Sequence, residues 1–219
     1  MRTTRRGAHR EVLIVVAAAL LVLPACDGGD EAPAADPSPA ATAVRAEANA
    51  VEIATGFVEA FGAFDPERAV AYLAEDAEVP QGLFAEQLPV LISFYEVQGY
   101  EQMLDPCEVT SGFAHGTVIV RCPYDFHAIR SEEIGLGPYH GSYWDLTIGD
   151  GGIVRAMQVW EIEKFSPQMW EPFQDWVSAT NPKDFDAMYN GGGTDFRVSE
   201  ESIRLWEQHT REYVKEVGR

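Results

Sequence analysis

The first regular pattern of apolar positions in the part of the chain expected to fold lies between Ala46 and Phe64. Its apolar residues recur three or four positions apart, at Val51, Ala54, Phe57, Val58 and Phe61. This spacing places them on one side of an α-helix. The sequence therefore predicts a first helix over residues 46–64, with that side packed against a core.

Two further helices are predicted before residue 100. Asp65-Pro66-Glu67 indicates a helix start, because Asp is a favourable N-cap, Pro fits the first helical turn and Glu interacts with the positive end of the helix dipole. Val70 and Leu73 are then expected to form the buried side of this second helix. A third helical stretch is predicted over residues 87–98, with apolar positions at Leu88, Leu91, Ile92 and Tyr95.

The period of the pattern changes to two from Cys107 onward, which is typical of β-strands with one buried side. One face of the strand after residue 117 is apolar, with Val118, Val120, Cys122, Tyr124 and Phe126. Arg121, Asp125 and His127 lie on the other face, where Asp125 and His127 are close enough to form an acid–base pair. The more apolar face should point into the core, so we expect these two residues to be exposed or covered by another segment.

A second hairpin is predicted from two apolar strands, over residues 139–148 and 153–164, joined by the turn Gly149-Asp150-Gly151-Gly152. Helices followed by antiparallel hairpins define an α+β fold, here with a curved antiparallel sheet. Continuing the hairpin pairing from this turn places five residues of mixed polarity on one face: Tyr143, Asp145, Thr147, Gln158 and Trp160. The opposite face is then formed by Trp144, Leu146, Ile148, Met157 and Val159.

Residues 164–219 form a C-terminal extension that is unusually rich in aromatic side chains. Trp170, Phe173 and Val177 share one helical side, and Ser199 is a good N-cap for a last helix. The apolar side of that helix is predicted to contain Ile203, Trp206, Thr210, Tyr213 and Val217. So many aromatic groups must be buried against another surface, and we expect the helical extension to pack on the outer face of the sheet.

The first 25 residues have the pattern of an export signal, in which four arginines precede an apolar run over residues 12–23. A membrane-spanning helix needs about 20 apolar residues, so this run is better explained as a leader that is removed. Its end, Leu23-Pro24-Ala25-Cys26, resembles the bacterial lipobox. That resemblance implies cleavage before Cys26, lipidation of the Cys26 thiol and anchoring at the outer face of the cytoplasmic membrane. An ordinary secretory leader with an incidental cysteine is the alternative.

Composition then limits the possible partners. Removing residues 1–25 removes four basic residues and one acidic residue, which leaves 12 basic and 34 acidic residues and a formal charge of −22. Such a charge repels nucleic acid, so no nucleic acid partner is expected.

Residues 26–45 have few large apolar groups and are predicted to be a disordered tether. Residues 46–163 are predicted to form one domain with the extension packed on it, whereas the oligomeric state is not predicted.

Cys107 and Cys122 are the two cysteines that remain once Cys26 is lipidated. A hairpin centred on Ala114 and His115 places them directly opposite each other on paired strands, which suits a disulfide. Outside the cytoplasm a pair of this kind is expected to be oxidised and to act structurally.

The candidate catalytic residue is Asp145, because a carboxylate among aromatic groups would have a raised pKa and could act as a general base. Tyr143 would donate a hydrogen bond to developing oxyanion charge, and Thr147, Gln158 and Trp160 would line the pocket. An Asp that simply bonds to neighbours or solvent is the alternative. No metal site is predicted, because the histidines are scattered and lack ligand spacing, and no cofactor motif is present.

Several strings together resemble the NTF2-like superfamily, in its SnoaL-like branch. They are residues 56–61 (GFVEAF), 65–69 (DPERA), 73–77 (LAEDA), 150–155 (DGGIVR) and 159–161 (VWE). The resemblance covers about residues 46–163. It implies a cone-shaped fold with a pocket between the sheet and the helices.

Three hypotheses for function follow. The first is a membrane-tethered extracytoplasmic lipoprotein that binds a small apolar ligand without catalysis. The second is a cofactor-independent enzyme of the isomerase or dehydratase type with Asp145 as general base, and the third is a protein interaction module. A pocket containing Asp145 would favour the enzyme, an apolar pocket the binding protein, and a pocket filled by aromatic side chains the interaction module.

Overall fold

The computed structural model describes residues 39–114, 116–190 and 195–219. The predicted export signal, Cys26 and the predicted tether up to residue 38 lie outside the described residues. No helix in the described part is long and apolar enough to cross a membrane.

The three predicted N-terminal helices are present, with changes at their ends. Helix α1 spans Pro39–Gly62, α2 spans Pro66–Val70 and α3 spans Leu88–Val97. Helix α1 therefore includes part of the predicted tether, whose many alanines favour helix formation. The start of α2 is confirmed, because the Asp65 carboxylate accepts a hydrogen bond of 3.0 Å from the backbone N–H of Arg68. The helix ends at Val70, so the prediction that Leu73 lies on its buried side is wrong.

Leu73 instead begins the first of seven strands in one curved sheet. The strands are β1 Leu73–Val79, β2 Leu83–Phe84, β3 Glu101–Leu104, β4 Glu108–Ala114, β5 Thr117–His127, β6 Tyr139–Gly149 and β7 Gly152–Val159. Their order is β2-β1-β7-β6-β5-β3, with β4 also paired to β5. Strand β1 runs parallel to β7, so the sheet is mixed rather than purely antiparallel as predicted. The α+β class is confirmed.

The hairpin of β4 and β5 contains the predicted disulfide. Ala114 pairs with Thr117 at the turn, and Glu108 pairs with Arg121 at the far end. Two register shifts between these points bring Cys107 opposite Cys122, although the turn itself lies one position later than predicted. The two cysteines are bonded, with their Cα atoms 4.1 Å apart.

A β-bulge in the hairpin of β6 and β7 decides which side chains of β7 face the core. Ile148 pairs with Ile153 beside the turn, but the next pair is Thr147 with Arg155. Val154 is thus an extra residue in β7. A shift of one residue moves all following side chains of a strand to the other face of the sheet.

The predicted grouping of side chains on this hairpin is therefore wrong. Gln158 pairs with Trp144 on the inner face, which packs against α1, whereas Met157 pairs with Asp145 on the outer face. Tyr143, Asp145 and Thr147 do share a face, but with Met157 and Val159 rather than with Gln158 and Trp160. The regular two-residue period of the sequence gives no sign of the bulge.

Aromatic side chains fill the space between α1 and the inner face of the sheet. The ring of Trp144 lies 5.6 Å from that of Phe57 and 4.9 Å from that of Phe61, in edge-to-face contacts. All three side chains are fully buried. The base of the cone is therefore solid core and leaves no room for a ligand between these rings.

The extension consists of short elements and one long helix. They are α4 Ile162–Phe165, a π-helical turn Ser166–Trp170, α5 Glu171–Thr180, α6 Pro182–Met188, β8 Tyr189–Asn190, β9 Asp195–Phe196 and α7 Glu200–Val217. The predicted cap of α7 is confirmed, because the Ser199 hydroxyl accepts a hydrogen bond of 3.2 Å from the backbone N–H of Ser202. The buried side of α7 includes Leu205 and His209, whereas Val217 is exposed.

The extension does not pack where the sequence analysis expected. The ring of Trp206 in α7 lies 5.2 Å from that of Phe94 in α3, and Phe165 lies 5.2 Å from Phe126 on the inner face. The extension thus covers α3 and the open end of the cone. On the outer face Met157 keeps 39% of its surface exposed, so the described part of the extension does not cover this residue. The aromatic groups of the extension are buried against Phe94 and Phe126 instead.

Candidate functional site

A half-open cleft of about 330 Å³ lies at the open end of the cone, between the domain and its extension. Helix α3, the segment after β7, the π-helical turn and β9 supply its walls. The lining residues are Gln81, Phe94, Tyr95, Gln98, Trp160, Ile162, Phe165, Ser166, Trp170, Asp195 and Phe196. A mainly apolar cleft with a few polar groups is the usual form of a small-molecule site.

Aromatic contacts fix the positions of the cleft walls. On one side the Trp160 ring lies 5.4 Å from Phe165 and 5.8 Å from Tyr95. On the other side Phe94 and Phe196 are stacked, with ring centroids 4.2 Å apart. Because these rings also contact the buried core, the walls are held in place without a ligand.

A chain of hydrogen bonds runs from the cleft wall into the core. The Tyr95 hydroxyl donates to Gln158 Oε1 at 2.6 Å, and Gln158 Nε2 donates to the Tyr100 hydroxyl at 3.1 Å. The Tyr100 hydroxyl then donates to Gln102 Oε1, whose amide nitrogen donates to the Val58 carbonyl at 2.7 Å. Gln158 is therefore held by two tyrosines and anchors the inner end of the site.

Burial raises the pKa of the tyrosine hydroxyls in this region. The pKa values of Tyr95 and Tyr100 lie well above the ordinary value, mainly because of desolvation and then because of the neighbouring Tyr124. The pKa of Tyr124 is raised by desolvation as well. These groups are thus neutral at ordinary pH and act as hydrogen-bond donors rather than as bases.

A second, polar cleft of about 190 Å³ adjoins the first. Trp160 and Gln81 line both clefts, and Gln81 has a left-handed backbone with φ of 68°. In the second cleft Arg155 forms an ion pair of 3.2 Å with Glu78. The positive charge of the second cleft is therefore already compensated.

The structure separates the predicted site residues into two groups. Gln158 and Trp160 belong to the inner face beside the cleft, whereas Tyr143, Asp145 and Thr147 lie on the outer face. Asp145 accepts two hydrogen bonds of 2.7 Å from Arg121. This hydrogen bonding raises the pKa of the Arg121 guanidinium. Asp145 is thus the anion of a cross-strand ion pair, not a carboxylate in an apolar pocket.

Asp125 and His127 do not form the acid–base pair considered from the sequence. Asp125 Oδ2 lies 2.6 Å from His140 Nδ1 on the surface. His127 is buried, with Nδ1 3.2 Å from the Ser131 hydroxyl and 3.1 Å from the Leu136 carbonyl. Within the described residues, no group of three or more His, Cys, Asp or Glu side chains is arranged to hold a metal ion.

Sequence reasoning missed most of the cleft, including Gln98, Phe165, Trp170 and Phe196. Tyr95 was predicted only as an apolar position of the third helix. The available signal was the density of aromatic residues after residue 164, which indicated burial but not which surface they would meet.

No protein-family model matches the chain, and no curated protein matches it. Among solved structures, a candidate polyketide cyclase from Xanthomonas campestris is 17% identical with a TM-score of 0.43, covering 56% of this chain and 97% of that chain. A candidate polyketide cyclase from Pseudomonas putida is 18% identical with a TM-score of 0.39, covering 54% and 96%. An NTF2-like protein of unknown function from Cytophaga hutchinsonii is 13% identical with a TM-score of 0.37, covering 52% and 90%.

The described architecture is the one that the sequence resemblance implies. Helices α1 and α3 contact the inner face of a curved sheet. The strings that carry the resemblance lie in α1, α2, β1 and the hairpin of β6 and β7 or directly beside them. The structure thus has the α+β arrangement of helices on a curved sheet that the resemblance implies.

Proposed function

We propose that this protein binds a small, mainly apolar molecule in the cleft at the open end of the cone and releases it unchanged. The cleft itself carries the proposal. It is lined by Trp160, Phe165 and Trp170 among other aromatic groups, and it is held open by contacts of these rings with the core. Apolar clefts of this size bury most of the surface of a small ligand.

The chemistry of the lining favours binding over catalysis. Among the lining residues that the structure describes, Asp195 is the one carboxylate, and none is a histidine, lysine or cysteine. The nearby tyrosines have raised pKa values because they are buried, so they cannot accept protons from a substrate. Asp145, the base of the enzyme hypothesis, faces away from the cleft and is paired with Arg121.

We also propose that the protein acts outside the cytoplasm, tethered to the outer face of the cytoplasmic membrane through Cys26. The leader and the lipobox-like Leu23-Pro24-Ala25-Cys26 support this location. The disulfide between Cys107 and Cys122 agrees with an oxidising compartment. Cys26→Ala should release the protein from membranes, and a variant that still sediments with membranes would argue against the lipid anchor.

The binding function is tested by native mass spectrometry of the protein purified from the envelope of its own host. We expect a discrete additional mass, and we expect Trp160→Ala to remove it. Asp145→Asn is the matched control and should keep the same mass. If the mass accumulates only in the Asp145→Asn protein, a trapped substrate and the enzyme hypothesis would be favoured instead.

A further inference from the structure

Six aromatic residues surround the cleft: Phe94, Tyr95, Trp160, Phe165, Trp170 and Phe196. The face of an aromatic ring carries partial negative charge and attracts cations, and Trp is the strongest in this respect. Cation–π contacts of this kind gain strength when the cation is shielded from water. A half-open cleft lined by several rings can therefore also bind a cation.

The charges at the cleft also favour a cationic ligand. Asp195 is the one charged side chain among the described lining residues. One of its carboxylate oxygens accepts a hydrogen bond of 2.9 Å from the backbone N–H of Phe196, and the other has no partner in the described part of the chain. The neighbouring residues 191–194 (GGGT) carry no charge in the sequence, and the exported chain has a formal charge of −22. Such a field attracts cations and repels anions.

Gln98 supplies an independent observation. Its side chain lines the cleft, the residue is only 3% exposed, and its amide makes no hydrogen bond to any residue that the structure describes. Its amide atoms are not among the fully enclosed polar atoms without a partner, so they face the open space of the cleft. A ligand with its own hydrogen-bonding group would satisfy the amide.

We infer that the cleft selects a small organic cation with an alkylated ammonium group and a hydroxyl or similar hydrogen-bonding group. The ammonium group lies among the aromatic rings near Asp195, and the hydrogen-bonding group reaches Gln98. This inference rests on the proposed binding function and specifies its ligand. A neutral hydrocarbon would leave Gln98 without a partner, and an anionic amphiphile would be repelled by Asp195.

Choline and its neutral isostere 3,3-dimethyl-1-butanol provide a direct test, because they share their shape and hydroxyl group and differ in charge. Binding of each is measured by calorimetry to a chain that begins at residue 26 and carries Cys26→Ser, which keeps every described residue. We expect choline to bind about five- to tenfold more tightly, as cation–π and carboxylate interactions of ordinary strength would give. High salt should reduce this preference.

Two variants separate the contributions. Asp195→Asn should weaken choline binding several-fold and leave binding of the neutral alcohol unchanged. Gln98→Met, which keeps the length of the side chain, should weaken both ligands by a similar factor. Asp150→Asn, in the exposed turn between β6 and β7, is the matched control and should affect neither. Thermal melting verifies that each variant is folded.

Equal binding of the two ligands would overturn the inference about charge while leaving an apolar binding cleft in place. Failure of choline to bind at millimolar concentration would overturn the inference as well. The proposed function is judged separately, by the additional mass on the protein from its host. An unchanged affinity of both ligands in Gln98→Met would refute the assigned role of that amide.

Discussion

The guanidinium of Arg121 and the carboxylate of Asp145 form two hydrogen bonds of 2.7 Å between β5 and β6 on the outer face of the sheet. The guanidinium carbon also lies 3.9 Å from the centre of the Tyr143 ring. The three side chains thus form one cluster on the outer face. The structure gives this cluster a role in strand pairing, because it joins residues directly across a ladder.

Asp145→Asn should therefore affect stability slightly and ligand binding not at all. The pair is partly solvated, with the Arg121 side chain 39% exposed, so we expect a loss of at most about 1 kcal/mol in the free energy of unfolding. Urea unfolding measures the loss, and choline titration measures binding. A large loss of choline binding would indicate that Asp145 takes part in ligand binding.

Gln158→Leu should be much more damaging, because it removes the link between two buried hydroxyls. Tyr95 would lose its acceptor and Tyr100 would lose a donor. An unsatisfied buried polar group costs about 1–3 kcal/mol. We expect a loss of about 2–4 kcal/mol rather than the full sum for two groups, because the Tyr100 hydroxyl still donates to Gln102. Met157→Leu, one residue earlier and on the exposed outer face, is the control and should change stability by less than about 0.5 kcal/mol. Equal losses in the two variants would contradict the described register of β7.

Reduction of the disulfide should lower stability without unfolding the cone. The bond closes a loop with a sequence separation of 15 between Cys107 and Cys122. In the chain-entropy model a loop of this size contributes about 3 kcal/mol. Urea unfolding of Cys107→Ala/Cys122→Ala should show a loss of this order, and adding reductant should then have no further effect. Free thiols in the untreated protein, detected by alkylation and mass measurement, would disprove the bond.

Stability should fall at alkaline pH because of the buried tyrosines. Burial raises the pKa values of Tyr95, Tyr100 and Tyr124 in the folded state, whereas tyrosines in the unfolded chain ionise near pH 10. The folded state then keeps protons that the unfolded state loses, so the free energy of unfolding decreases as the pH rises above about 10. Each such hydroxyl contributes a slope of about 1.4 kcal/mol per pH unit.

Tyr95→Phe should make this pH dependence less steep by the slope of one hydroxyl. Urea unfolding at several pH values between about 9.5 and 11.5 measures it, and absorbance at alkaline pH reports ionisation in the folded protein. A slope that is the same in the variant would show that Tyr95 does not keep its proton in the folded state.

His209 links two helices of the extension and is fully buried. Its Nε2 lies 2.8 Å from an Asp184 carboxylate oxygen, and its Nδ1 lies 3.0 Å from a Glu212 carboxylate oxygen. His209→Phe keeps a ring but removes both contacts, and we expect a loss of about 1–3 kcal/mol in unfolding experiments. Asp184→Asn should cost less than about 1 kcal/mol, because that side chain is 37% exposed. An unchanged free energy of unfolding in His209→Phe would show that packing of the ring is sufficient for stability.

The sequence predicted the elements that have strong periodicity. Helix α1, helix α3 and strand β5 have long apolar patterns, and the structure confirms them. Strands β1 and β3 were missed. Leu73–Val79 contains three acidic residues and little alternation, and Glu101–Leu104 is only four residues long. Short polar strands are formed by pairing with neighbours, which local sequence does not show.

The candidate site was harder to predict, for two physical reasons. The extra residue Val154 reverses the faces of β7, so Gln158 and Trp160 were grouped with Asp145 although they point to the opposite side. The cleft also joins Phe94 and Tyr95 of α3 with residues 160–170 and with Phe196. Proximity across about a hundred residues depends on tertiary packing and leaves no mark in local periodicity.

The residues that line the cleft come from two parts of the chain, and this affects how its ligand selectivity can change. Part of the lining comes from α3 and from Trp160, directly after β7, and the rest comes mainly from the extension. Substitutions at Phe165, Trp170 or Phe196 can therefore alter what binds while the cone keeps its shape. The extension therefore supplies part of the binding site without forming part of the sheet. In divergent copies of this protein, ligand preference can change through the extension while the sheet stays the same.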